Sequence, residues 1–123
     1  MVDELQSIVE DARKFVPTLL GAIVISEDGL PISYSFSKAW EVEDPIVIGG
    51  LISSAVAMME NVMREFGDSE TDLVFTQGKD YTLLVSRAGN VFVGFIATAD
   101  TKLGPLFMEM RKQSKKIAQM FSS

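Results

Sequence analysis

Residues Pro45 to Phe66, PIVIGGLISSAVAMMENVMREF, constrain this chain more than any other stretch. At the helical rotation of about 100° per residue, Val47, Ile48, Leu51, Ile52, Ala55, Val56, Met58, Met59, Val62, Met63 and Phe66 cover about half of a helix circumference. One packing partner buries a narrower stripe than that, so a second surface must cover the excess. The remaining arc is mostly small, with Gly49, Gly50, Ser53, Ser54, Ala57 and Asn61, and another backbone can approach it closely. A helix from a second copy of the chain is the expected neighbour. Asp44 is the expected N-cap, Pro45 the first helical residue and Gly67 the residue that ends the helix. Gly49 and Gly50 each cost about 1 kcal/mol of helix propensity relative to Ala, so their position needs the space. Glu60 and Arg64, at i and i+4, suit an exposed edge.

The rest of the chain supplies a sheet and two more helices. Asp3 to Val16 has apolar residues at helical spacing, with Arg13 and Lys14 late. Leu19 to Ser26 is a buried strand, and Glu27-Asp28-Gly29-Leu30 is turn chemistry. Pro31 to Ser37 alternates, with Ile32, Tyr34 and Phe36 facing one way and Ser33, Ser35 and Ser37 the other, as in an edge strand with one wet face. Lys38 to Glu43 is a connector holding the only tryptophan, Trp40. Three strands follow, Glu70 to Gln77, Asp80 to Ser86 and Asn90 to Thr98, joined by the turns Gly78-Lys79 and Arg87-Ala88-Gly89. After the connector Ala99 to Gly104, a helix runs from Pro105 to Phe121 with Leu106, Phe107, Met110, Ile117 and Phe121 on one face. The order α-β-β-α-β-β-β-α predicts one α/β (α+β) domain over residues 1–123: a mostly antiparallel five-stranded sheet with helices on both faces.

Composition removes several function classes. With no cysteine and no histidine, the chain has no thiol nucleophile, no thiolate metal site and none of the commonest general base. A net charge of −6 argues against a nucleic-acid binder. The acidic start, MVDELQ, is unlike a signal peptide, and no uncharged apolar run reaches the roughly 20 residues of a membrane span, so a cytoplasmic protein without membrane insertion is expected. One segment departs from the acidic average. From Lys102 onward the chain holds five of the eleven basic residues and one of the seventeen acids, with Arg111, Lys112, Lys115 and Lys116 on the last helix. That face reads as solvated, or as a patch for an acidic partner or membrane surface.

No catalytic, cofactor or metal constellation emerges. Gly49-Gly50 lacks the Lys-Ser/Thr of a phosphate loop and lies inside the helix. Asp68, Glu70 and Asp72 resemble the opening of a calcium loop, but Leu73 stands where that loop requires glycine and Lys79 where it requires glutamate. Met58, Met59 and Met63 read first as core filler and second as an adaptable docking surface.

Two segments carry a resemblance. LLGAIVISEDGLPIS, Leu19 to Ser33, resembles the first hairpin of the Roadblock/LC7 family through Gly21, Ala22, Val24, Asp28, Gly29, Leu30, Pro31 and Ile32. LGPLFMEMRKQSKKI, Leu103 to Ile117, is similar to the family's prokaryotic C-terminal signature through Leu103, Gly104, Leu106, Glu109, Met110 and Arg111. The resemblance implies a profilin-like fold and a homodimer in which the long helices pack together and the third strands pair into one continuous sheet. Gly50, Ser53, Ser54 and Ala57 on the helix, and Leu73 and Phe75 on the strand, would then form the dimer interface.

The family's members are non-enzymatic platforms, so the resemblance implies a partner rather than a substrate. The expected partner is a small Ras-like GTPase bound through the helix pair, with Glu60, Asn61 and Arg64 on the binding surface. The alternatives are a dimerising scaffold in a motor or signalling assembly that never touches a GTPase, and a ligand-sensing domain with Tyr34 and Trp40 near a pocket.

Overall fold

The structure is a computed structural model describing residues 2–40 and 44–121. The end of the expected connector, residues 41–43, lies outside the described residues. The elements are α1 (Val2–Phe15), β1 (Leu19–Ser26), β2 (Pro31–Phe36), α2 (Pro45–Glu65), β3 (Leu73–Gln77), β4 (Tyr81–Ala88), β5 (Val91–Thr98) and α3 (Leu103–Phe121). The strands form one sheet in the order β2-β1-β5-β4-β3, and every pair is antiparallel. β1 and β5 are apolar on both faces and therefore take interior positions, with β5 at the centre.

Two cores lie on opposite sides of this sheet. On one, α1 and α3 bury Leu5, Val9, Ala12, Leu106, Met110 and Ile117 against Val24, Leu84 and Phe95. On the other, α2 sets Ile52 and Val56 on Ile23, Ile25, Val85 and Phe92. The local signals at the ends of α2 act as expected. The Asp44 carboxylate accepts from the Ile46 N–H at 2.8 Å. Gly67 takes a φ of 95°, and the Gly67 and Asp68 N–H groups donate to the Arg64 and Met63 carbonyls.

The paired glycines divide their work. Gly49 is buried against the β1–β2 turn, where an added Cβ would stand 2.3 Å from the Gly29 carbonyl oxygen. At Gly50 an added Cβ would meet nothing within 4 Å. The need for space therefore belongs to Gly49 and is met within the chain.

Several boundaries and one face differ from expectation. α3 begins at Leu103, because a proline inside the first turn costs no hydrogen bond, so Pro105 does not have to start the helix. β4 continues through Ala88, leaving Gly89-Asn90 as a two-residue turn with Gly89 at positive φ. In β2 the serine side is covered: α1 lies over it, the Ser33 hydroxyl donates to Gln6, and Arg13 donates to the Ser35 hydroxyl. Ile32 and Tyr34, on the apolar side, are the exposed ones. Alternation separates two faces; α1, with its polar flank, decides which face stays wet. α2 is long and apolar enough to cross a membrane by length and composition, although Glu60 and Arg64 interrupt it. Its inner side packs on the sheet.

The expected strand from Glu70 begins only at Leu73: the Arg87 backbone N–H still reaches the Asp72 carbonyl, but Glu70 and Thr71 are held by the Arg87 side chain instead of pairing. Arg87 is nearly buried and sits over the Phe92 ring at 4.6 Å. Its guanidinium donates to Glu60 and Glu70 at 2.9 Å each, to the Thr71 carbonyl at 3.3 Å and to Glu27 at 3.5 Å. Glu60 also accepts from the Thr71 N–H. One cation thus ties α2, the α2–β3 loop, the β1–β2 turn and the sheet together.

Two stability outcomes follow, both read from urea denaturation midpoints. Arg87→Met leaves the half-buried Glu60 without its cation and is expected to cost about 2–3 kcal/mol, below the range for a fully buried pair because Glu27 and Glu70 stay solvated. Gly49→Ala is expected to cost about 1–3 kcal/mol by overpacking on the turn.

Candidate interaction surface

α2 buries only Gly49, Ile52 and Val56 among its twenty-one residues. Its outer side carries Val47, Leu51, Met58, Val62 and Phe66, all exposed, with Leu51 at 62%, Met58 at 64% and Phe66 at 78%. Their spacing of four, seven, four and four residues places them in one stripe along the helix. Full burial of side chains of this size is worth about 1.5–3 kcal/mol each, so a large stabilisation is left unrealised in the single chain. A contiguous exposed apolar surface of this kind marks an interaction site.

The stripe is continuous with a sheet edge. Met59, Val62 and Met63 form one wall of a groove of about 440 Å³ whose other wall is β3, from Leu73 to Thr76. β3 is an edge strand reading LVFTQ, with no charge, no proline and a regular register against β4. The opposite edge, β2, starts with Pro31 and carries a register shift, both of which discourage pairing. Of the two edges among the described residues, β3 is the one with neither feature.

The residues singled out from the sequence distribute unevenly over this surface. Ser54 and Ala57 are exposed on the outer side of α2, beside the apolar stripe, and Gly50 is half-buried next to them. Ser53 is turned inward, and its hydroxyl donates to the Glu27 carbonyl at 2.7 Å. Leu73 and Phe75 are half-exposed on β3; both point to the α3 side, where the Phe75 ring lies 5.3 Å from that of Phe107. Asn61 and Arg64 are exposed and hydrogen-bonded to each other. Glu60 does not pair with Arg64, because Arg87 and the Thr71 N–H take its carboxylate. Met58 is exposed and Met59 is at the rim, so the methionines serve the outer surface more than the core. Trp40 packs over Gly21, between Phe36 at 5.6 Å and Tyr81 at 6.2 Å, where it covers the end of the sheet that α2 does not reach.

What the sequence did not single out is Arg87. A lone arginine on the inward side of β4, two residues after Val85, was the available signal.

Comparisons with known proteins place this geometry. An uncharacterized protein of Methanocaldococcus jannaschii is 25% identical over 101 residues, which is 82% of this chain and 86% of that one. MglB of Myxococcus xanthus superposes with a TM-score of 0.88 at 19% identity, covering 98% of this chain and 89% of that one. Profilin IA of Acanthamoeba castellanii superposes with a TM-score of 0.66 at 9% identity, covering 94% of this chain and 97% of that one, so the fold is profilin-like. The Roadblock/LC7 domain profile matches residues 5–97, and the chain belongs to the Roadblock/LC7 domain family.

Proposed function

We propose that this chain is a cytoplasmic, non-enzymatic homodimeric platform that binds a small Ras-like GTPase. The observation that carries the reading is the exposed stripe Val47, Leu51, Met58, Val62 and Phe66 running into the unprotected β3 edge. An isologous contact satisfies both at once: antiparallel β3 strands extend the sheet, and the α2 helices cover each other's apolar side. The seam where small and large residues meet, at Gly50, Ser54 and Ala57 beside Met58 and Leu51, suits close helix approach.

The GTPase component rests on the family resemblance. Asn61 and Arg64 stay exposed near the end of the helix and are the residues assigned to that contact, whereas Glu60, expected on the same surface, is half-buried and taken by Arg87. Arg64 is held by Asn61, which favours a docking role over that of an inserted arginine.

The test titrates a small Ras-like GTPase from the same organism, loaded with GDP or with a non-hydrolysable GTP analogue, into the native protein by calorimetry. Preferential binding of the GTP-like form is expected, weakened about tenfold or more in the Asn61→Ala/Arg64→Ala double variant, with protein mass unchanged. No binding of either form by an intact dimer would contradict the GTPase assignment and favour the scaffold.

A further inference from the structure

The outer face of α3 has no role in the surface described above. Leu106, Glu109, Met110, Gln113 and Ile117 are its buried side, with the Glu109 carboxylate bonded by Gln113, and the opposite side carries Arg111, Lys112, Lys115 and Lys116, all exposed. Among the described residues none of these four cations is in an ion pair; those pairs belong to Lys14 and Arg87. Met108, 71% exposed, stands between the cations, and Phe15 at the end of α1, 61% exposed, has the Lys112 ammonium 4.2 Å above its ring. On the same side of the sheet, α1 contributes Glu4, Glu10 and Asp11 against Arg13 and Lys14. The basic surface is therefore local to α3.

We propose that this face docks on an anionic lipid surface, and that it does so as a dimer. The dimer part rests on the reading given under Proposed function. The two-fold axis relating antiparallel β3 strands is perpendicular to the sheet, so it leaves both copies of α3 on the same face. α3 packs toward β4, and its Phe107 meets Phe75 of β3, so the two basic helices flank the seam, while the acid-bearing α1 helices lie farther out. The α2 pair and the GTPase-binding residues lie on the opposite face.

The chemistry favours lipid over an acidic protein. Three of the four cations are lysines, compact charges on flexible stems, instead of arginine forks set in a cleft to grip carboxylates. Met108 is exposed among the cations, with Phe15 beside it under the Lys112 ammonium, an apolar element of the kind that enters the headgroup boundary. The acidic body opposes this approach weakly, because repulsion beyond about 8 Å is screened at physiological salt. Each basic residue near an anionic leaflet strengthens binding about fivefold, so doubling the number of cations turns a marginal contact into a lasting one.

The experiment is sedimentation of the full chain with phosphatidylcholine vesicles, with and without phosphatidylglycerol, and its solution mass is measured on the same sample. Binding to the anionic vesicles only, lost in high salt, is expected. Lys112→Glu/Lys115→Glu/Lys116→Glu is expected to weaken it about a hundredfold or more, and Met108→Ser about fivefold, with thermal unfolding and GTPase binding unchanged. Equal binding to neutral vesicles, or none to anionic ones, would overturn the proposal; retention on polyglutamate resin without vesicle binding would overturn it in favour of an acidic protein. A native monomer that binds anionic vesicles would support the lipid face and overturn its dependence on the dimer.

Discussion

The structure depends on one mismatch: α2 presents more apolar surface than the sheet beneath it can cover. Ile52 and Val56 are enough to seat the helix on Ile23, Ile25, Val85 and Phe92. Ile48 lies half-buried beside them, while Val47, Leu51, Met58, Val62 and Phe66 face outward, next to a strand edge with unpaired backbone groups. An exposed helix stripe and an open edge strand side by side are the two features on which the proposed self-interface rests. The sheet is built to match. β2, the other edge, is blunted by Pro31 and a register shift, whereas β3 has neither.

Holding α2 in place falls to polar contacts as much as apolar ones. Gly49 lets the helix touch the β1–β2 turn, Ser53 bonds the Glu27 carbonyl, and Arg87 gathers Glu27, Glu60 and Glu70 around one guanidinium. These contacts lie along the inner and turn-facing sides of the helix, which leaves its outer side free. They also fix the loop that leads into β3, and so set the edge strand relative to the helix stripe. A helix that packs shallowly needs such ties, since hydrophobic burial alone would let it slide.

Legibility followed the range of the interaction. The caps of α2, Asp44 and Gly67, are local chemistry and were readable from a few residues. The order of elements and the family followed from the periods of the apolar pattern and the Gly21–Ile32 and Leu103–Arg111 segments. Which of two adjacent glycines faces the β1–β2 turn depends on the rotation of the whole helix, and nothing local sets it. The wet side of β2 is decided by α1, because Gln6 and Arg13 supply partners for serines that would otherwise seek water. The Arg87–Glu60 pair joins residues 27 apart in sequence, while the visible i, i+4 partner of Glu60, Arg64, turned to Asn61 instead. The wide apolar arc was legible as an excess; which of its residues stay uncovered was not.

The outer stripe of α2 and the β3 edge are proposed to form a self-interface. Light scattering of the native protein beside Val62→Asp, a substitution on the exposed stripe that leaves Ile52 and Val56 in place, tests it most directly. A native mass about twice that of the single chain and a folded, monomeric variant are expected, since a charge buried in such an interface costs several kcal/mol. A native monomer, or a Val62→Asp protein that remains dimeric, would contradict it.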